Sequence, residues 1–97
     1  MTDLTKLAKG QKCLVRVPGV CNHNRETTVL AHIRLSGISG LGMKAPAILG
    51  AWACSACHDA IDGRLLTQFT TEELDLMHYE GMARTIDQLI HDGVLQW

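Results

Sequence analysis

Large aromatic residues are scarce in this sequence, with one Phe, one Tyr and two Trp among 97 residues. The length suits one small domain over residues 1–97, and so few bulky fillers leave it a modest core that an added staple would help. Long apolar runs are missing too. The longest, AILGAWAC at 47–54, is far too short to span a bilayer. MTDLTKLAKG has no apolar stretch behind its lysines of the kind a secretory signal needs, so the expectation is a cytoplasmic protein. Internal repeats and low-complexity tracts are absent, and 20% charged against 46% apolar residues excludes a disordered chain. Strong net charge is absent as well, at −1. Its distribution is uneven, however. Lys6, Lys9, Lys12, Arg16, Arg25, Arg34 and Lys44 against Asp3 and Glu26 give residues 1–50 a charge of +5, while residues 51–97, with two arginines and eight acids, carry −6. A basic first half is weak support for phosphate contacts, because a split along the sequence is not a surface patch.

Four cysteines are present, and in a reducing compartment they are poor disulfide partners. Metal binding is the better account, since Cys54 and Cys57 have knuckle spacing while Cys13 and Cys21 flank a Pro18–Gly19 turn. Four thiolates would close a tetrahedral zinc site and tie the start of the chain to its middle. The alternatives are unligated reduced thiols, or a site in which His58 or His23 replaces one cysteine. If all four cysteines hold zinc, the stretch CSACHDAID at 54–62 keeps His58 and Asp62 for another purpose. At i and i+4 of a helix they share a face and offer an imidazole nitrogen beside a carboxylate, a pair that suits a divalent ion with open water positions. The plainer reading is a solvated helix face. Asp59 points elsewhere and is expected to serve as a helix N-terminal charge. His32, in LAHIR, has Arg34 two residues on along the same strand face. Near a metal such a histidine makes a fitting general base; otherwise it is a packed or surface residue. His23, His78 and His91 read as surface residues, Tyr79, Glu80 and Arg84 as packing and salt-bridging groups, and the methionines of the last helix as core.

The elements expected are an α+β set. Residues 4–9 allow a helical turn. CLVRV at 13–17 alternates as a strand does, and VLAHIRL at 29–35 reads as a second strand paired with it. SGISGLGMKAP at 36–46 is a glycine-rich loop that could approach a nucleic-acid backbone or simply connect, and AILGAW is either a buried strand or an irregular core segment. CSACHDAIDG runs from a knuckle into a short helix stopped by Gly63. The last helix has capping-box spacing at Thr70 and Glu73, an apolar stripe of Leu74, Met77, Met82, Ile86, Leu89 and Ile90, and a stop at Gly93.

A strand carrying a histidine, a loop and a CxxCH helix together resemble the HNH, or ββα-metal, nucleases. KCLVRVPGVC at 12–21, LAHIR at 30–34, CSACHDAID at 54–62 and EGMART at 80–85 resemble, more closely, the YbcO-like nuclease family of lambdoid prophages. A phage RecA-dependent nuclease is a more distant likeness. The resemblance implies a small ββα-metal core with a structural zinc knuckle and a C-terminal helix. It implies an endonuclease hydrolysing phosphodiester bonds, most readily in DNA, with His32 as general base and His58 and Asp62 holding a catalytic divalent ion, magnesium or manganese, or else zinc or nickel. Cys13, Cys21, Cys54 and Cys57 match the structural zinc set. Arg34, Lys12 and Arg16 would hold backbone phosphates, and a recombination or replication protein is an implied partner. Two departures stand out: Ala31 occupies the position before the base where many members carry a metal ligand, and no Asn lies between His32 and Cys54. The other reading consistent with the sequence is a zinc-stabilised DNA- or protein-binding module without activity.

Overall fold

The computed structural model describes residues 3–35 and 46–95. In chain order the elements are α1 (Leu4–Leu7), a 3-10 turn (Arg25–Thr27), β1 (Val29–His32), β2 (Gly50–Ala53), α2 (Ser55–Ile61) and α3 (Thr71–His91). The result is a small α+β fold with one two-stranded antiparallel sheet and three helices. None of the described helices is long and apolar enough to cross a membrane. The expected glycine loop at 36–46 lies outside the described residues except for Pro46.

β1 does not pair with residues 13–17, as expected from their alternation. Its partner is β2, in the register Leu30↔Trp52, Ala31↔Ala51, His32↔Gly50, and Ile33 N–H donating to the Leu49 carbonyl (2.9 Å) carries the ladder one residue further. Residues 13–17 fail as a strand because Arg16 sits in the left-handed region at φ 57°, which breaks the alternation, and Leu14 and Val15 are buried in succession. One bond, Leu14 N–H to the Trp52 carbonyl (2.8 Å), lays this segment along the outer edge of β2.

β2 is buried along its whole length, so its all-apolar sequence could not distinguish the two faces. Ala31, Ala51 and Ala53 turn to a cluster with Val15, Val17, Cys54, Cys57, Ala60 and Leu74. Leu30 and Trp52 turn to a second cluster with Ala8, Leu14 and Leu89. The capping box of α3 forms as read, with Glu73 N–H donating to Thr70 Oγ1 (3.1 Å) and Thr70 N–H to Glu73 Oε1 (2.8 Å). Gly93, at φ 76°, follows its last turn. Its buried line is Leu74, His78, Gly81, Thr85 and Leu89, with Met77 and Met82 half-buried against the core. His78 is therefore not a surface residue: it is 4% exposed.

Candidate functional site

β2 leads within one residue into α2, and Cys54 is both the helix N-cap and a metal-type ligand, its Sγ accepting from Cys57 N–H at 3.4 Å. The loop carrying Cys13 and Cys21 reaches the same point. The Asn22 amide donates to Ser55 Oγ (3.1 Å), and Ser55 N–H donates to Thr27 Oγ1 (3.2 Å), which satisfies one free donor of the α2 start. The four Sγ atoms lie within 4.8 Å of one another, and Cys54 Sγ is 3.8 Å from Cys21 Sγ. A tetrahedral zinc with Zn–S near 2.3 Å has sulfur–sulfur edges of roughly 3.8 Å, so the donor set fits that ion. The thiols share their protons unevenly. A hydrogen bond from Cys57 holds Cys13 down to about 4, while Cys57 itself is pushed up by keeping that proton and by burial. Burial, with Cys13 and Cys54 beside it, pushes Cys21 up to about 11. Four thiolates at this spacing call for a cation among them. Among the described residues this is the only set of three or more His, Cys, Asp or Glu side chains gathered so closely. His23 is not in the set; its Nδ1 lies 3.7 Å from Cys21 Sγ, beside the cluster.

The second group forms around the end of α2. His58 Nε2 is 3.4 Å from Asp62 Oδ2, so the i, i+4 pair shares a face as the spacing predicts, although Asp62 is the C-cap rather than a helical residue. Both Asp62 oxygens are engaged by arginines, Oδ1 by Arg34 Nη2 at 3.0 Å and Oδ2 by Arg64 Nη2 at 2.7 Å. Arg34 lies two residues beyond His32, past the end of β1, so its ion pair joins the His32 end of β1 to the His58–Asp62 end of α2. His32 itself is half-buried, at the last position of β1 opposite Gly50. Asp59 does not serve the helix N-terminus. The helix starts at Ser55, which leaves Asp59 in its second turn, 3.5 Å from Arg64.

Lys12 and Arg16 are not part of this group; they line a separate hollow with Cys13, His23 and Arg25. Arg84 donates to the Leu14 carbonyl (2.8 Å), which makes it a packing residue. His78 is the residue that sequence reasoning missed. Its Nε2–H donates to the Ala31 carbonyl at 2.7 Å, on the residue before His32. Burial lowers its pKa, against the opposing pull of that hydrogen bond and of Asp75 and Asp62, so the ring is held neutral. The signal was available: positions 74, 78, 81, 85 and 89 follow one helical face, but three of them are not apolar.

Known proteins resemble this chain along nearly its whole length. The family described as "Putative nuclease YbcO" matches residues 2–94. Two relatives, "Putative nuclease YbcO" of Escherichia coli (strain K12) and "Putative nuclease ybcO" of Enterobacteria phage 82, are each 51% identical over 100 residues, covering 99% of this chain and 99% of the relative. A solved structure described as "a putative bacteriophage protein from Escherichia coli str. K-12 substr. MG1655" superposes with a TM-score of 0.77 at 43% identity, covering 93% of this chain and 99% of the other. With matches spanning nearly its whole length, the chain belongs to the phage-associated family described as "Putative nuclease YbcO".

Proposed function

We propose that this protein is a metal-dependent endonuclease of the HNH type that hydrolyses phosphodiester bonds in DNA, with residues 1–97 forming one such unit and His32 as its general base. The observation that carries the reading is the order β1–β2–α2, with His32 ending the first strand, His58 on the helix and Asp62 at its C-cap, and the Arg34–Asp62 pair at 3.0 Å linking the two ends. A divalent ion on His58 Nε2 and Asp62, magnesium or manganese before zinc or nickel, would supply Lewis-acid stabilisation of the phosphate and of the leaving oxygen. His32 takes the proton from the attacking water through its ring nitrogen. Such a base is worth about 10²–10⁴-fold in rate. Arg34, on a largely exposed side chain, can exchange the Asp62 carboxylate for a substrate phosphate, which would free Asp62 to help hold such an ion. His78 holds the Ala31 carbonyl and so steadies the strand end from which His32 projects. The four cysteines would hold a structural zinc and keep α2 in register with the N-terminal loops.

A second reading has a specific observation in its favour. Asp62 is already neutralised by two arginines, and Ala31 stands where a further ligand would help. A zinc-stabilised nucleic-acid- or protein-binding module would keep this arrangement without cutting. Nicking of supercoiled plasmid in magnesium or manganese separates the two. Wild type and His32→Ala are compared after both are shown to carry equal zinc, and the variant is expected to lose about 10²-fold or more in rate. Equal nicking by both proteins would remove His32 from the chemistry, and no nicking by either would favour the binding module.

A further inference from the structure

Between Asp3 and Glu26 the chain carries Lys6, Lys9, Lys12, Arg16 and Arg25 and not one acid. The fold gathers three of these cations, Lys12, Arg16 and Arg25, with His23 and Cys13 around a hollow of about 360 Å³. Arg25 is braced there by its Nε–H donating to the Gly10 carbonyl (2.9 Å), a bond that uses one of the five guanidinium donors. Among the described residues no carboxylate pairs with Lys12, Arg16 or Arg25, whereas Arg34 and Arg64 are both paired with Asp62. Two lining residues, Arg16 and His23, hold left-handed backbone at φ 57° and 56°, which costs a non-glycine residue on the order of 1 kcal/mol each. Three cations without a carboxylate partner in one concavity outnumber the single Cys13 thiolate at its wall, repel one another and are stabilised by a further anion placed between them.

We propose that this hollow binds backbone phosphates of a nucleic acid, as a second contact sharing no lining residue with the His32, Arg34, His58 and Asp62 group. The choice of a nucleic acid over another polyanion rests on the nuclease reading and on one piece of geometry. Cys13 lines the hollow, and its Sγ lies within 4.8 Å of Cys57 Sγ, on the residue immediately before His58. The hollow and the proposed reacting group are thus separated by little more than the cysteine cluster. A strand held at one can reach the other within a few nucleotides, given a phosphate roughly every 3.4 Å along each strand of the helix axis. Contacts of this kind give affinity without base preference.

The test is binding of a labelled short duplex, and of the corresponding single strand, by the His32→Ala protein, measured by fluorescence polarisation as a function of salt. A Lys12→Gln/Arg16→Gln double variant is compared with Lys6→Gln/Lys9→Gln, which removes equal charge outside the hollow. Arg25→Gln is examined separately because Arg25 also braces Gly10. All variants are first matched for zinc content and melting temperature. The hollow variant is expected to flatten the log–log salt slope by about two and to weaken binding roughly tenfold per cation near 0.1 M salt. The control should change neither as much. Equal effects of the two doubles would overturn the proposal, as would no effect of either. Absence of binding by the parent would also overturn it and would turn attention to an acidic protein surface as the occupant. Plasmid nicking by proteins with an intact His32 keeps the two readings apart. Nicking with no change in the hollow variant's affinity overturns the hollow alone, and a clear loss of affinity without nicking by wild type overturns the nuclease reading alone.

Discussion

The imidazole of His78 lies under β1 with its Nε2–H on the Ala31 carbonyl at 2.7 Å, and burial holds its pKa below the ordinary histidine value. In the unfolded chain the same ring takes up a proton near pH 6.5. The folded state therefore binds fewer protons than the unfolded state just below that pH. The stability tied to a neutral His78 is fully present above about pH 6.5 and is lost as the pH falls through the lower folded value. The melting temperature of the zinc-loaded protein should thus drop between about pH 7.5 and pH 5.5, and part of that drop should vanish in His78→Gln. Protonation of thiolates that hold a zinc would lower stability in acid in both proteins, so the difference between the two curves is the quantity to read. A pH-independent difference would show that His78 does not titrate with folding. At pH 7.5 His78→Ala should cost about 1–3 kcal/mol, because it leaves a cavity and removes a buried hydrogen bond. The sequence hid this residue because a histidine on an amphipathic helix is counted with the polar face. His58 and Asp62 were easier, since i, i+4 spacing alone placed them side by side, but their pairing with Arg34 and Arg64 depends on where β1 ends and could not be read from spacing.

α3 meets the sheet through small and polar side chains, and that choice has a physical reason. Gly81 lies so close to the 14–15 segment that an added Cβ would sit 2.8 Å from Val15 Cγ2 and 3.0 Å from Val15 Cα. One turn on, Thr85 Oγ1 accepts from the Trp52 N–H at 3.0 Å and donates to the Gly81 carbonyl at 2.8 Å. The outward-facing donor of β2 is thereby satisfied by a helix side chain instead of a third strand. Thr85→Val keeps the volume and removes the acceptor, leaving a buried N–H without a partner, at about 1–3 kcal/mol. The melting temperature should fall by roughly 4–8 °C for each kcal/mol in a domain of this size, and Thr85→Ser should recover most of the loss. Unchanged melting of Thr85→Val would mean that the Trp52 N–H finds another acceptor. At this scale the sequence was partly legible. The capping box and the glycine stops of α2 and α3 were read from local chemistry that no tertiary contact overrides. The strand pairing was misread because 13–17 alternates as a strand should, while the true partner, at 50–53, is apolar on both faces and shows no alternation.

Neither core cluster is large, and the sheet joining them has strands of four residues each. A two-stranded sheet of this kind is marginal by itself. One cluster, moreover, is built around the metal-type ligands: Cys54 and Cys57 are fully buried within it, and Cys13 and Cys21 pack against it from the N-terminal loop. The candidate metal site is therefore part of the core and connects segments that are otherwise held by few hydrogen bonds. A structural zinc bound by such a set contributes about 10–16 kcal/mol of apparent free energy in small zinc-dependent domains. Domains of ordinary size have a total stability of about 5–15 kcal/mol. The first quantity matches or exceeds the second, so the metal-free chain should not hold this fold. The purified protein is expected to carry one zinc per chain, and a strong chelator should produce a single cooperative loss of the near-ultraviolet dichroism of Trp52 together with most of the helical signal. Cys57→Ser, which removes a fully buried ligand, should behave as the chelated protein does even with zinc in excess. Native spectra after complete zinc removal would show that the thiols are a packed core in their own right, and the staple that the scarcity of aromatics called for would have to be sought elsewhere in the chain.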